Sequence, residues 1–579
     1  MSRFADALNS RQTQAVVALF GTNCFWRDLV SFTWNLRTEE GRAAIAAMLA
    51  ARLEDVAPSD FALSGEASES AGVVEAWFKF ETRVGRCTGQ VRLKEGSAWT
   101  IFTALDELKG HEERVRERRP VGAEHGVYPG RLSWAERRSE NRDDLGFGKQ
   151  PDVLIVGGGQ AGLGLGARLR HLDVPTLILE KLPRVGDHWR RRYKTLCLHD
   201  PVHYCHMPYL PFPEGWPLYT PKDQLADWLE AYVSVMDLNV WCSSPARKAR
   251  FDAGAGRWEV TVDRDGHLHT LRPRHLVFAM GVSGYPLLPT IPGAESFAGD
   301  QHHSSRHPGP DAYYGKHCVV VGSNNSAHDI AAALWETGAA EVTMLQRSST
   351  LVAPLPALER LGFAGSYSEQ ALAQGITPER SDLTIASIPY RLLPRWQKSI
   401  YDTMRLECAD LYARLAAAGF LLDFGDDDSG VFMKFLRRGS GYYLDVGASE
   451  LVADGRIRLR SGVTIERLTP HTVVLNNGSE LKADLVVYAT GFGSMNHYLA
   501  DLISPEVAEK VGKVWGLGSD THKDPGPWEG ELRNMWKPTQ VENLWIHGGN
   551  LHQCRHYSLY LALQLKARLV GLATPVYGG

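Results

Sequence analysis

The sequence predicts an α/β protein with two similar strand–glycine loop–helix units, preceded by a smaller α+β unit. From residue 151 a short apolar strand enters a glycine-rich turn and then a helix, and the same order returns about 165 residues later. Residues 1–110 have a different pattern, with one helical stretch followed by alternating, strand-like segments. The 579 residues are enough for about three or four domains with proper cores.

Composition excludes several classes of protein. The 63 Lys and Arg nearly balance the 67 Asp and Glu, and no basic block stands out, so we expect no nucleic-acid partner. We find no signal-like start and no run of about 18 apolar residues, which predicts a cytoplasmic protein without a membrane partner. Eight cysteines lie far apart without a CxxC pair, which argues against a disulfide scaffold.

The N-terminal unit, residues 1–110, is expected to fold separately. Apolar residues recur at helical spacing over 41–53, and the segments 73–80, 89–93 and 98–102 alternate as strands of an antiparallel sheet do. Residues 111–150 then form a charged, glycine-punctuated linker, which we expect to be exposed.

The first glycine loop has the context that a dinucleotide-binding loop requires. Strand 152–156 enters a GxGxxG turn in which Gly157 permits the tight turn, Gly159 lets the backbone approach a pyrophosphate, and Gly162 lets the helix pack closely. Gln160 and Ala161 begin the helix, whose amide groups favour phosphate. Further predicted contacts are the ribose-binding carboxylate of Glu180, which follows the next strand, and its neighbour Lys181.

The second loop repeats this arrangement with one change. Strand 317–321 enters Gly322, and Asn324 stands where the middle glycine would be; asparagine tolerates a left-handed φ, so the turn is expected to survive. Arg347 occupies the place of Glu180 in the first unit, and a guanidinium can pair with a 2′-phosphate, which predicts NADP rather than NAD. The other predicted binding residues of this loop are Ser323, Asn325 and Ser326.

Two Rossmann-type dinucleotide units in one chain suggest that one nucleotide passes hydride to the other, a flavin being the usual acceptor from a nicotinamide. The electrons then need an acceptor. A close cysteine pair and a cysteine-ligated cluster are both missing from the sequence. Molecular oxygen is the leading candidate by elimination.

Longer motifs resemble those of the flavin-containing monooxygenase superfamily, most closely its YUCCA branch. The FxGxxxH stretch is matched by residues 297–303, and ATG-type strand ends are matched by 279–281 and by 489–492, which contain Thr490 and Gly491. Met280 stands where threonine is usual. The resemblance covers about 420 residues, from Asp152 to Arg568.

The resemblance implies FAD in the first unit, residues 151–295 and 489–579, and NADPH in the second, residues 296–488. It implies an NADPH-dependent flavin monooxygenase that inserts one atom of O2 into a small organic substrate through a flavin C4a-(hydro)peroxide. N- or S-oxygenation, Baeyer–Villiger insertion and oxidative decarboxylation of a 2-oxo acid stay open. The cofactor-binding residues would include Thr490 and Gly491.

Two further residues are assigned by the resemblance. Trp189 closes a GxxW-like stretch that lies against the flavin in the family, and His199 ends a stretch similar to the one that ends in a flavin-facing histidine in YUCCA enzymes. His199 is therefore the predicted catalytic residue. Five potential metal ligands also lie close together in this part of the sequence: His199, Asp200, His203, Cys205 and His206. Because Pro201 and Pro208 prevent a regular helix there, no metal is predicted.

A closing helix is expected to begin near Ser558.

The N-terminal unit weakly resembles the NTF2-like or SnoaL-like cone. Such cones catalyse, bind small molecules or dimerise, and the fold alone does not decide among these roles. We expect a homodimer through this unit, or shielding of the flavin site by it.

Two other functions stay open. An NADPH oxidase or diaphorase-like flavoprotein would produce hydrogen peroxide instead of an oxygenated product. A protein with degenerate nucleotide sites would serve as an interaction protein, a hypothesis that rests on Asn324.

Overall fold

The protein is described here by a computed structural model that covers residues 2–122 and 126–578. Residues 1, 123–125 and 579, which fall in the predicted N-terminal unit, linker and C-terminal segment, lie outside the described residues. The N-terminal unit consists of α1 (Ser2–Asn9), α2 (Thr13–Ala18), β1 (Phe20–Leu29), β2 (Leu36–Glu40), α3 (Gly41–Val56), β3 (Ser59–Leu63), β4 (Ser68–Ser70), β5 (Val73–Glu81), β6 (Gly85–Lys94) and β7 (Ser97–Leu108).

One seven-stranded sheet, with the order β2-β1-β7-β6-β5-β3 and β4 beside β5, carries this unit. The predicted strands β5, β6 and β7 pair antiparallel, but β1 pairs with β7 in parallel, so the sheet is mixed. Aromatic rings fill the space between α1 and the sheet: the Phe4 ring lies 5.9 Å from Trp26 and 6.2 Å from Phe78. The interior is therefore a packed core.

The linker includes the helix α4 (Trp134–Asp144), which begins with a capping box formed by Ser133 and Glu136. Arg138 on this helix donates from Nη1 to Asn239 Oδ1 at 2.6 Å. The predicted charged linker is thus attached to the first unit at this point.

The first unit begins with β8 (Val153–Val156), α5 (Gln160–His171), β9 (Thr176–Leu179), α6 (Asp187–Arg190), α7 (Lys222–Val235), β10 (Val240–Trp241), β11 (Ala246–Asp252), β12 (Arg257–Arg264), β13 (His267–Leu271) and β14 (His275–Phe278). The predicted strand and helix on either side of the first glycine loop are confirmed as β8 and α5. Strand β8 consists of buried, mostly β-branched residues, as a central parallel strand does.

The second unit contains β15 (Asp300–His303), β16 (His317–Val321), α8 (Asn325–Glu336), β17 (Glu341–Gln346), β18 (Leu351–Pro354), α9 (Leu355–Leu358), α10 (Glu369–Ala373), α11 (Pro378–Ala386), α12 (Leu393–Glu407), α13 (Ala409–Ala417), α14 (Gly430–Arg438), β19 (Tyr442–Asp445), α15 (Ala448–Ala453), β20 (Arg458–Ser461), β21 (Ile465–Leu468), β22 (Thr472–Leu475), β23 (Glu480–Lys482) and β24 (Leu485–Tyr488). Helices α9–α14 form a helical insertion between β18 and β19.

The chain then returns to the first unit through α16 (Asn496–Leu502), α17 (Pro505–Val511), β25 (Leu544–Ile546) and α18 (Leu551–Leu569). The expected start of the last helix near Ser558 is wrong. Helix α18 begins seven residues earlier, at Leu551, because the Asn550 side chain caps it by accepting from the Gln553 amide at 2.9 Å.

Each unit has a five-stranded parallel sheet, β10-β9-β8-β14-β25 in the first and β15-β24-β16-β17-β20 in the second. The two connections between the units lie side by side, since Leu287 N donates to Gly491 O at 3.1 Å and Gly493 N to Tyr285 O at 2.8 Å. Ligands of such sheets bind at the carboxyl ends of the strands. Within residues 2–122 and 126–578, no helix is both long and apolar enough to cross a membrane.

Candidate functional site

The first glycine loop has the tight geometry that its sequence predicts. Gly157 has φ +121°, and a Cβ on it would lie 2.3 Å from Ala279 O. A Cβ on Gly162 would lie 2.0 Å from Gly157 O, so the start of α5 packs directly against the loop backbone. Both glycines are therefore required by close backbone approach.

Glu180 follows β9 at the edge of this loop, as expected. Its Oε2 accepts from Gly158 N at 3.1 Å and its Oε1 from Leu182 N at 2.8 Å. Burial raises the pKa of the Glu180 carboxyl, and these two hydrogen bonds oppose the rise. The carboxylate is thus held in a fixed orientation by the backbone of the loop.

The second loop repeats the backbone of the first. Gly322 has φ +128°, and a Cβ there would lie 2.4 Å from Ala489 O. Asn324 has φ −97° and ψ −170°, close to the −85° and −175° of Gly159. The turn survives, as expected, but the tolerance of asparagine for a left-handed φ is not used, because in this loop Gly322 takes the positive φ.

A single cavity of about 1170 Å³ joins the two loops. Most of the predicted site residues line it: Gly157, Gly159, Gln160, Ala161, Glu180, Lys181, Trp189, His199, Asn324, Asn325, Ser326 and Gly491. The cavity therefore runs between the two units, from the end of β8 to the start of α8.

Five predicted residues lie outside the cavity lining. Gly162 and Gly322 act through backbone packing, as described above. The Ser323 hydroxyl is hydrogen-bonded to that of Thr350 at 2.7 Å, and the Thr490 hydroxyl donates to Leu287 O in the neighbouring connection. Arg347 directly follows β17 and is exposed.

Arg347 belongs to a basic group at the carboxyl edge of the second sheet. Burial lowers the pKa of Lys523, and the charges of Arg438 and Arg347 lower it further. Both arginines therefore act on Lys523 at this edge of the sheet, and the charges of Asp423 and Asp426 oppose them. The sequence could not reveal Arg438 and Lys523, which come from a distant helix and loop.

His199 lines the cavity and connects the two units. Its Nε2 lies 3.4 Å from Asp329 Oδ2 on α8, and the Tyr193 hydroxyl donates to the same oxygen at 2.6 Å. Burial alone would lower the pKa of His199, but the hydrogen bond and charge of Asp329 outweigh it and raise the pKa. The imidazole therefore holds a proton more firmly than a free histidine does.

Asp200 also lines the cavity, although the sequence indicates it only as one of the candidate metal ligands. Burial raises the pKa of its carboxyl to about 6, and the neighbouring His199 opposes this. Among the described residues, no group of three or more His, Cys, Asp or Glu side chains is arranged to hold a metal ion.

The helical insertion supplies an apolar wall to the same cavity, which we call the apolar lobe. The wall consists of apolar residues of the insertion together with two from β19: Leu358, Phe363, Ile385, Ile388, Leu393, Trp396, Ile400, Tyr401, Val431, Phe432, Phe435, Tyr442 and Leu444. These residues are far apart in sequence and on different helices, so periodicity alone could not identify them as one surface. Ligand sites commonly combine such a wall with a few fixed polar groups.

The first unit fits a bound FAD. The cradle around Gly157 and Gly159 leaves the backbone amides of α5 facing the cavity, without a Cβ in the way. Both ring nitrogens of His188 and the Trp189 Nε1 are buried beside this cradle without a hydrogen-bond partner in the protein. Buried polar atoms of this kind normally have partners, which a bound cofactor can supply.

Residues 154–356 match the family model of the pyridine nucleotide-disulphide oxidoreductases. The indole-3-pyruvate monooxygenase YUCCA1 of Oryza sativa subsp. japonica is 31% identical over 369 residues, which are 63% of this chain and 82% of the relative. The probable indole-3-pyruvate monooxygenase YUCCA7 of Arabidopsis thaliana is 30% identical, over 59% of this chain and 74% of the relative.

Solved structures share the fold. ε-Caprolactone-bound cyclohexanone monooxygenase in the loose conformation matches with a TM-score of 0.52 at 17% identity, over 73% of this chain and 88% of that one. OTEMO in complex with FAD and NADP matches with a TM-score of 0.51 at 17% identity, over 73% of this chain and 85% of that one. At this identity the likeness concerns the fold.

Proposed function

Since the chain belongs to the flavin-containing monooxygenase superfamily, in its YUCCA-like branch, and is thus an oxidoreductase, we propose that it uses NADPH, FAD and O2 to oxygenate a small apolar molecule. One observation carries this proposal: a single cavity is lined by both glycine loops and by the apolar lobe. Two nucleotides and a substrate can meet only in a shared space of this kind.

We place FAD in the first unit, residues 151–295 and 489–579, and NADPH in the second, residues 296–488. The Gly157–Gly162 loop and Glu180 would hold the FAD pyrophosphate and ribose, with Lys181 and Trp189 beside it. The Asn324–Ser326 turn would hold the NADPH pyrophosphate at the start of α8. Bound FAD would supply the redox chemistry, taking hydride from NADPH and reacting with O2.

The protein's own part in this chemistry is positioning, proton control and exclusion of water. We propose that His199 holds a proton at its Nε2, shared with Asp329, next to the reacting groups. Because Asp329 lies on α8, this contact also fixes the second unit against the first. The apolar lobe keeps water away from the substrate, and this exclusion of water suppresses side reactions during oxygenation.

The lining of the apolar lobe also narrows the substrate. The lobe favours a substrate with an apolar body. Outside the lobe, Arg191, Arg192 and Arg306 line the same cavity and can pair with a carboxylate. We therefore propose a substrate with an apolar body, and S- or N-oxygenation, Baeyer–Villiger insertion and decarboxylation of a 2-oxo acid are distinguished by their products.

Oxygen balance tests this proposal. The FAD-loaded protein is mixed with NADPH and ¹⁸O2, with apolar sulfides, amines, ketones and 2-oxo acids as substrates. We expect one of these substrates to yield a product that contains one ¹⁸O atom, formed in proportion to NADPH consumed. NADPH consumption matched entirely by hydrogen peroxide with every substrate would instead show an oxidase.

The basic group predicts coenzyme preference. Arg347→Ser should lower kcat/KM for NADPH roughly tenfold to a hundredfold, since it removes one or two charge-assisted hydrogen bonds to a 2′-phosphate, and should leave the NADH value unchanged. Arg456→Ser is the control, because Arg456 is exposed before β20, at the opposite edge of the same sheet. An equal loss with both coenzymes would contradict the assignment.

We further propose that the N-terminal unit is an NTF2-like cone, since α1–α3 cover a sheet with an aromatic interior. The homodimer through this unit and the cytoplasmic location also remain proposals, and they rest on the sequence.

A further inference from the structure

The N-terminal unit is attached to the rest of the chain through a segment that also lines the cavity. This segment, 385–390, connects α11 to α12, and we call it the wall segment. Ile385 and Ile388 belong to the apolar lobe, whereas Ala386, Ser387 and Tyr390 are buried. One side of the segment thus contacts the N-terminal unit, and the other contacts the cavity.

Arg27 of β1 is the centre of this contact. Its side chain is fully buried and uses all its donors: Nε and Nη2 bind Glu531 at 2.7 and 2.8 Å, and Nη1 donates to Ala386 O at 2.7 Å and Ile388 O at 3.1 Å. The remaining Nη2 hydrogen points to the Tyr557 hydroxyl at 3.3 Å. An arginine whose five donors are satisfied in this way has little freedom to move.

Arg92 of β6 binds Ser387, the residue between Ala386 and Ile388. Its Nη1 donates to Ser387 O at 3.1 Å and its Nη2 to the Ser387 hydroxyl at 2.7 Å. With Arg27, it binds three consecutive backbone carbonyls at the end of α11. The last carbonyls of a helix have no partner within the helix, and buried ones need a donor from elsewhere.

Contacts to the flanking helices continue this arrangement. The Trp99 ring of β7 packs edge-on against Trp396 of α12 with centroids 6.2 Å apart, and Trp396 itself lines the cavity. On the other side, the Arg380 guanidinium of α11 lies 3.9 Å from the centroid of the Trp77 ring. The N-terminal unit therefore contacts the wall segment and the helices before and after it.

From these contacts we infer that the N-terminal unit is a specificity-determining part of the monooxygenase, in which Arg27 and Arg92 act as positioning residues for the apolar lobe. They fix the backbone that presents Ile385 and Ile388 to the substrate, and thereby set the size and shape of that end of the cavity. The inference rests on the proposed function. It assigns the unit a role within one chain, independent of any dimer.

Arg92→Met is the appropriate variant, because it removes both bonds to Ser387 and leaves the buried Arg27–Glu531 pair intact. It also removes the ion pair of Arg92 Nε with Glu75 at 3.4 Å, and Glu75→Gln removes that pair alone. Arg86→Met is its control: Arg86 lies on the same strand, is half-buried, and pairs with Glu107 and Glu112 away from the wall segment. Arg92→Lys retains one cation and is expected to rescue part of the effect.

Hydrogen exchange of the FAD-loaded protein gives a readout that does not depend on turnover. We expect the amides of residues 385–392 to exchange faster in Arg92→Met than in the unmodified protein and in Arg86→Met. The exchange rates of the first glycine loop should be the same in all three proteins. Unchanged exchange of this segment would overturn the inference, whether or not any substrate is oxygenated.

Steady-state kinetics then test specificity. In Arg92→Met the KM for an apolar substrate should rise on the order of tenfold, because small displacements of a substrate-positioning wall have effects of this size or larger, and product formed per NADPH should fall. The KM for NADPH and the FAD content should stay constant. A variant with unchanged substrate KM and coupling would show that the contact only stabilises the fold. If the unmodified protein oxygenates nothing, the proposed function fails, and the exchange result still decides the role of the arginines.

Discussion

Gly162→Ala is expected to yield a protein that no longer retains FAD. The added Cβ would lie 2.0 Å from Gly157 O and 3.2 Å from Ile155 Cγ2. Neither neighbour can move easily, because the first is loop backbone and the second belongs to the central strand β8. The start of α5 must therefore shift away from the loop, and the amide groups that face the pyrophosphate shift with it.

Gly164→Ala is the matched control for this prediction. Gly164 lies on the same helix and is also buried, but its nearest neighbour to an added Cβ is Pro208 Cγ at 3.5 Å, an ordinary contact. We expect Gly164→Ala to be yellow and active, while Gly162→Ala has at least tenfold less FAD per protein by absorbance after identical purification. Full FAD occupancy in Gly162→Ala would contradict the assigned role of this glycine.

The two glycine loops show what local sequence can establish. Gly157, Gly162 and Gly322 take the positions that their spacing predicts, because a tight turn between strand and helix is decided by a few neighbouring residues. The same locality explains why the turn survives at Asn324 for a different reason than the one expected. Sequence shows that a glycine is missing, but it does not show which of the two loop positions takes the positive φ.

Long-range placement was beyond prediction. The apolar lobe, the Arg347 group and the Arg27–Glu531 pair each join residues that are far apart in the chain. Their residue types are individually ordinary, and no periodicity connects them. The parallel pairing of β1 with β7 is unexpected for the same reason, since parallel neighbours need a long connection.

Arg555 illustrates this contrast at the cavity. In the sequence, its place beside the glycine turn at 548–549 fits either a residue of the substrate cavity or a cap of that turn. In the structure Arg555 instead donates to Asp382 on α11, with bonds of 2.8 and 2.7 Å. Arg555 Nη1 also donates to Tyr204 O at 3.0 Å and His206 O at 2.8 Å. The pair therefore ties the helical insertion to the first unit, directly behind Tyr204 in the cavity lining.

Asp382→Asn should accordingly destabilise the protein by about 3–5 kcal/mol, because it leaves the buried Arg555 charge without its partner. Both side chains are only 2% exposed. Asp311→Asn is the control: Asp311 and its partner Lys194 are 70% and 62% exposed, and exposed pairs contribute about 0–1 kcal/mol. Urea unfolding of the FAD-loaded variants, followed by circular dichroism, measures the difference.

The pH dependence identifies the cause of this loss. Burial by itself would raise the pKa of Asp382, but the charges of Arg555 and His552 and the hydrogen bonds from Arg555 lower it to about 2. A depressed carboxyl pKa stabilises the fold above the unfolded value, about 3.9 for Asp, and this contribution disappears as pH falls towards 2. The difference in the free energy of unfolding between the unmodified protein and Asp382→Asn should therefore be largest at pH 6 and decrease below pH 4. If this difference stays constant down to pH 3, the lost stability comes from packing instead of from the ion pair.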